Sequence, residues 1–238
     1  KVIWVAGHSG PETAEDSRTH FGIYSPAVTQ LFPKGKVINL YPWEHNEVAP
    51  MLTAALATDV PVIALHLTRP GVEVPDRKKL GMASYKDAAK GAYIIRDYKS
   101  DRPKMGTIFV QGTATTDSLL KLLPELDKRG LNVKLVAASS PQLFALQSEA
   151  YQQETISDVD WLNSTFITNG SAVAMQDWTG NRLSVEYAMT ADWDDNWRSG
   201  GSLEEVMEEA HLSERWLLEG IERFANDREA RMKRLGMV

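Results

Sequence analysis

Cysteine is absent from the 238 residues. That one absence removes disulfides, thiolate zinc sites, iron–sulfur clusters and a cysteine nucleophile. It is compatible with a reducing compartment, and a cytoplasmic location is the expectation. Long apolar runs are missing too, since none approaches the roughly 18 to 20 residues of a membrane helix. No low-complexity stretch and no internal repeat occurs. Positive charge is scarce: 26 Lys and Arg stand against 32 Asp and Glu, a net charge of −6. This balance disfavours a broad nucleic-acid footprint and still permits a local basic site that reads a phosphate. What is present, 43% hydrophobic and 24% charged residues, is the material of a globular chain and excludes disorder or a collagen-like repeat.

An initiator methionine is also lacking. Lys1 leads straight into Val2-Ile3-Trp4-Val5-Ala6-Gly7, which reads as a buried strand. No charged n-region or cleavage site marks it as a signal peptide. The expectation is a fragment, or the later half of a longer protein.

Short apolar strands alternate with helical stretches. Strands are expected at 2–7, 37–41 and 62–67, with a short helix opened by Ser25-Pro26 and another over about 44–58 carrying Val48, Met51, Leu52, Ala55 and Leu56 on one face. This rhythm predicts a mostly parallel sheet with helices on both faces. Residues from Pro70 to about Ala89 turn polar and read as a linker, dividing the chain into 1–77 and 78–238. Beyond it, strands are expected at 91–97, 106–111, 133–138, 164–168 and 172–176, and helices at 115–129 and 141–153. Two helices are expected in the tail. Ser202-x-x-Glu205 is a capping box for the first, and Ser213 caps the second, whose Leu217, Ile221 and Phe224 form one stripe. Four Glu at 203–210 and four Lys or Arg at 228–234 suit the helix dipole. The fold class is α/β.

Ligands of open parallel sheets bind beyond the carboxyl ends of the strands. Two such ends carry polar groups: His8 after the first strand and Arg69 after the third. The segment from His8 to His20 is a long polar loop with Gly10, Pro11 and the acids Glu15 and Asp16, the place to look for function. Each residue also has an ordinary reading: a solvated loop histidine, an Asp capping a turn, a surface Arg. The spacings of eight and four between His8, Asp16 and His20 match no metal-ligand motif, and no metal site is expected. No dinucleotide fingerprint, phosphate-binding P-loop or nucleophile elbow occurs.

His8, seven residues and then Asp16-Ser17-Arg18-Thr19-His20 resembles the strand–His–loop–Glu-Asp-Gly-Pro-Thr-His segment of transketolases. Glu15-Asp16 and Thr19-His20 match it in identity and spacing. Tyr41-Pro42-Trp43-Glu44-His45-Asn46-Glu47 is similar to the Arg-Pro-Ala-Asp-x-x-Glu that opens that family's next helix, and Leu67-Thr68-Arg69 stands at its Leu-Ser-Arg. The order extends past the linker, where Lys90–Ile95 opens a stretch like the family's C-terminal domain. Ser17-Arg18 replaces Gly-Pro, and Phe21 replaces the Gln that follows the histidine.

The resemblance implies a part of a pyrimidine-binding domain (1–77) followed by a smaller C-terminal domain with a mixed sheet (78–238). The implied reaction moves a two-carbon ketol unit between sugar phosphates, with thiamine diphosphate and a divalent metal (Mg or Ca) in the complete enzyme. His20 would contact the donor's first hydroxyl and carbonyl, and Asp16 the next hydroxyl. His8 and Arg69 would bind the sugar's phosphate. The family's residues for the diphosphate, the metal and the aminopyrimidine ring lie upstream of the strand at which this chain begins, so the chain alone is expected to bind no cofactor and to be inactive. The implied partners are sugar phosphates, the missing N-terminal portion and a second copy in a homodimer. Two alternatives stand beside this reading. One is the C-terminal subunit of a split transketolase or a deoxyxylulose-phosphate-synthase-like enzyme; the other is a non-catalytic α/β interaction domain.

Overall fold

A computed structural model describes residues 1–15, 20–69, 71–196 and 198–237. The first part is a three-stranded parallel sheet of β1 (Val2–Ala6), β2 (Val37–Leu40) and β3 (Val62–His66), in the order β1-β3-β2. Ile38, Leu40, Ile63 and Leu65 are all buried, as continuous apolar runs in a covered parallel sheet require. The helix expected over 44–58 begins as a 3-10 turn at His45–Glu47 and continues as α2 (Val48–Leu56). Pro50 is harmless there because a first-turn N–H has no partner inside the helix. Ser25 and Pro26 lie in a single turn, α1 (Ser25–Val28), with Tyr24 at the cap position.

β1 departs from the expected buried strand. Like β2 it is an edge strand of the three, but β2 is buried throughout whereas Val2 and Val5 are 61% and 54% exposed. Apolar sequence alone cannot tell a covered strand edge from an open one: the β2 side is covered by the second part, with Asn39 N donating to Gln142 Oε1 at 3.0 Å and Tyr41 N to Ser139 O at 2.8 Å.

The second sheet has the order β4-β6-β5-β7-β8 and contains β4 (Ala92–Arg96), β5 (Gly106–Gln111), β6 (Val133–Ala138), β7 (Ser164–Thr168) and β8 (Met189–Thr190). β4 runs antiparallel to β6, and the other pairs are parallel. α3 (Thr113–Lys128) packs on α9 (Glu214–Asn226), whose Leu217, Ile221 and Phe224 are buried. One apolar core runs from Ile38, Trp43 and Met51 of the first part to Tyr93, Leu119 and Leu135 of the second.

The expected strand at 172–176 is instead part of a 3-10 turn, Ala172–Trp178. Its buried residues Ala174, Met175 and Trp178 follow helical spacing, and the sheet position beside β7 is taken by β8. The helix expected at 141–153 breaks into α4 (Pro141–Ala145) and α5 (Glu149–Thr155), because the Ser148 hydroxyl caps a new N-terminus by accepting from Tyr151 N at 3.3 Å. α6 (Asp158–Leu162) and α7 (Arg182–Glu186) were not legible. The Ser202 capping box opens α8 (Leu203–Glu209) as expected. Ser213 stands at the cap of α9 but its hydroxyl bonds Glu208 Oε2 instead. The basic run forms a third tail helix, α10 (Arg228–Arg234).

The polar stretch after β3 is not simply solvated. Arg77 is 8% exposed, and its Nη2 donates to Glu44 Oε1 at 3.0 Å and Glu47 Oε1 at 2.8 Å. The guanidinium lies 5.4 Å from the ring centres of Trp43 and Tyr93, and Trp43 Nε1 donates to the Tyr93 hydroxyl at 2.7 Å. Burial raises the Glu47 carboxyl, and the Tyr93 hydroxyl and Arg77 oppose that rise. Two buried carboxylates need a counter-cation, and the forked guanidinium serves both.

Candidate functional site

The parallel register pairs Ala6 with His66. Past these ends, Leu67 N donates to Ala6 O at 2.8 Å and Ser9 N to Leu67 O at 2.9 Å. The two chains therefore leave the sheet side by side, which brings His8 to Arg69 across 61 positions. Arg69 Nη1 lies 3.3 Å from His8 Nε2. A guanidinium has no lone pair to offer, so in this contact Nε2 is the acceptor.

The loop between His8 and His20 returns to its starting point. Gly10 and Gly22 exchange backbone hydrogen bonds of 3.3 Å. A Cβ at Gly22 would run into the His8 carbonyl, so the closure needs glycine there. The Thr13 hydroxyl bonds the His20 carbonyl and lies 3.3 Å from that of Gly10. This closure sets the His20 ring 4.8 Å from the His8 ring, inclined by 58°. A concavity of about 410 Å³ opens beside them, lined by Val5, Ala6, His8, His20, Phe21 and Ser25. His8, His20 and Arg69 are exposed. Of the four residues singled out in the sequence, these three converge; Asp16 lies outside the described residues. Phe21 is 5% exposed and belongs to the core.

Sequence reasoning missed two residues beneath this loop. Glu12 is fully buried and Asn169 is 7% exposed. Asn169 Nδ2 donates to Glu12 Oε1 at 2.9 Å and Oε2 at 3.1 Å, and Ala114 N donates to Oε1 at 3.2 Å. Burial lifts the Glu12 carboxyl from 4.5 to about 7 against these hydrogen bonds. Glu15 and Asp16 are therefore not the only acids of the loop. The one signal of an inward turn was Gly10-Pro11 just before the acid.

The donor set at this edge, His8 and His20 in the concavity and Arg69 beside His8, defines what the edge suits. Two imidazoles and a guanidinium match a phosphate ester. A metal-bridged diphosphate calls for carboxylate and carbonyl oxygens, and among the described residues no group of three or more His, Asp or Glu is placed to hold a metal ion. The residues here do not fit thiamine diphosphate with its metal.

A doubly partitioned α/β chain with an anion-suited edge is the class that fold and site define. No family model matches it. A curated transketolase from Aquifex aeolicus is 29% identical over 159 residues, covering 66% of this chain and 22% of that relative. The chain thus spans about a fifth of the length of the curated relative it matches. Among solved structures, a Leishmania mexicana transketolase aligns with a TM-score of 0.74 at 16% identity, over 95% of this chain and 30% of that one. A transketolase variant from Pichia stipitis gives 0.73 at 18%, over 96% and 30%. A chain described as a split gene transketolase, inactive beta4 tetramer, gives 0.60 at 14%, over 95% and 67%. The fold is that of transketolases, and the resemblance to that family holds in sequence as well as in fold.

Proposed function

We propose that this chain is the C-terminal part of a thiamine-diphosphate-dependent transketolase, with residues 1–77 in the pyrimidine-binding domain and 78–238 forming the C-terminal domain. Arg69 and His8 bind the sugar's phosphate, His20 contacts the donor's first hydroxyl and carbonyl, and Asp16 holds the next hydroxyl. The observation that carries this reading is the meeting of His8, His20 and Arg69 at one sheet edge. Anchoring the remote phosphate positions the reacting carbons, and an imidazole beside the carbonyl can hold or pass a proton. The cofactor, which supplies the carbanion chemistry when bound, and its divalent metal (Mg or Ca) belong to residues outside this chain.

The experiment is ketol transfer from a ketose phosphate, with and without the cofactor-binding portion. Activity is expected from the mixture, lost in His20→Ala and His8→Ala, and absent from the chain alone. Calorimetry of the pure chain with cofactor and magnesium should show nothing tighter than about millimolar, roughly 4 kcal/mol. Micromolar binding, or turnover without a second protein, would overturn the reading.

A second reading, the C-terminal subunit of a split enzyme, is favoured by the split-gene structure, of which this chain spans 67%. In either case the apolar outer edge of β1 is a surface for a partner portion or a second copy, since unpaired strand edges invite pairing. Among the described residues no helix is long and apolar enough to cross a membrane.

A further inference from the structure

Glu12 does something that the proposed site does not use. The 16-residue helix α3 starts after Gly112, which has no side chain to cap it. Glu12, 102 positions upstream, accepts from the Ala114 amide in its place. Its other donor, Asn169, follows β7 directly, donates from Nδ2 towards the Ser9 carbonyl at 3.4 Å and ties its own backbone to Gln111 O at 3.3 Å. The carboxylate thus joins the floor of the His8–His20 loop to the carboxyl ends of β5 and β7.

The fit is tight on both sides. Gly10 has φ +105° and a Cβ there would collide with the Glu12 carboxylate and Asn169. Gly112 has φ +109° and a Cβ there would collide with Asn169. Two positive-φ glycines, one from each part, leave room for this one pair of side chains. Thr13, next to Glu12, carries the hydroxyl that bonds the His20 carbonyl, so fixing residue 12 fixes the return of the loop.

We propose that Glu12 and Asn169 form a latch by which the end of the second sheet holds the His20 loop, making Glu12 a positioning residue for the site read above. The role attributed to His20 rests on the proposed function; the latch itself does not.

The test is NMR on the full chain, reading hydrogen exchange at the Ala114 and Gly22 amides and the ring resonances of His8 and His20. Glu12→Ala should speed exchange at both amides on the order of 10- to 100-fold and move the His20 ring signals, while amides of β5 and β6 keep their protection. Glu12→Gln should restore all of these, because a single amide oxygen at the Oε1 position can still accept from Ala114 and Asn169. Asn169→Ala should repeat the loop effects with the carboxylate intact, and it serves if Glu12→Ala does not fold. Unchanged His20 and Ala114 signals in both alanine variants, or equal loss of protection throughout β5 and β6, would overturn the latch. So would failure of Glu12→Gln to restore the loop. Titration with inorganic phosphate separates the two readings: no response of His8 or Arg69 with the latch signals as expected would remove the sugar-phosphate site and leave the latch standing.

Discussion

Replacing Glu12 by Gln should make this protein more stable at pH 8 and leave it nearly unchanged at pH 5. The folded carboxyl keeps its proton up to about 7, whereas 4.5 is its ordinary value. Between those two values the folded chain therefore binds more protons than the unfolded chain. Stability must fall as pH rises through that window and level off above it. At about 1.4 kcal/mol for each pH unit, the full window is worth about 3 kcal/mol. No salt bridge among the described residues offsets the charge: α8, packed on the loop floor, carries Glu204, Glu205, Glu208 and Glu209, and the first turns of α3 add Asp117. Glutamine cannot ionise, so it avoids this cost, but it gives up the acceptor facing Asn169 at 3.1 Å, roughly 1 kcal/mol. The net gain is about 2 kcal/mol at pH 8, while near pH 5, where only about half a pH unit of the window has been crossed, the two effects nearly cancel. Urea unfolding of both proteins at several pH values measures it. Groups other than Glu12 cancel in the difference between the two curves. A difference that stays constant from pH 5 to pH 8 would refute burial as the cause.

Arg69→Ala should weaken binding of a ketose phosphate about ten-fold, the lower range for a charge-assisted bond at an exposed site, and leave the non-phosphorylated sugar unaffected; equal losses for both would make Arg69 structural. Arg77→Met should cost about 3–5 kcal/mol in urea unfolding, because Glu44 and Glu47 stay buried without their cation. The His66 ring, 3% exposed and stacked on Tyr41 at 4.6 Å, is pushed down from 6.5 to about 4 by burial. The unfolded chain therefore takes up that proton first, and stability from this group is lost as pH falls from about 6.5 to 4; imidazole NMR should show His66 neutral above pH 5. The exposed edge of β1 predicts association, and a clean monomer at micromolar concentration in sedimentation would count against it.

Three kinds of feature were legible in the linear pattern. Strands buried on both faces, such as Gly106–Gln111 and Val133–Ala138, show apolar runs at 108–110 and 135–138 whatever surrounds them. Local caps such as Ser202 with Glu205 need only their own four residues. Chemistry at the ends of parallel strands follows from topology, so His8 and Arg69, 61 positions apart, were both legible at the carboxyl ends of strands of one sheet. The run Ala172–Gln176 misled because short apolar residues serve a strand or a 3-10 turn equally, and the neighbouring β8 decided between them.

By itself the sequence determined the α/β class, most of the inner strands and the histidines and arginine of the candidate site, because periodicity and strand-end position are properties of neighbouring residues. Tertiary structure alone decided that β1 lies at the rim, that Arg77 sits between two buried carboxylates and that Glu12 turns down to meet Asn169. A polar side chain reads as solvated in any linear pattern. Whether it is buried depends on partners brought from far along the chain, here 157 residues for Glu12 and Asn169 and 30 for Arg77 and Glu47. The Glu12–Asn169 pair exists only once the two sheets have packed together.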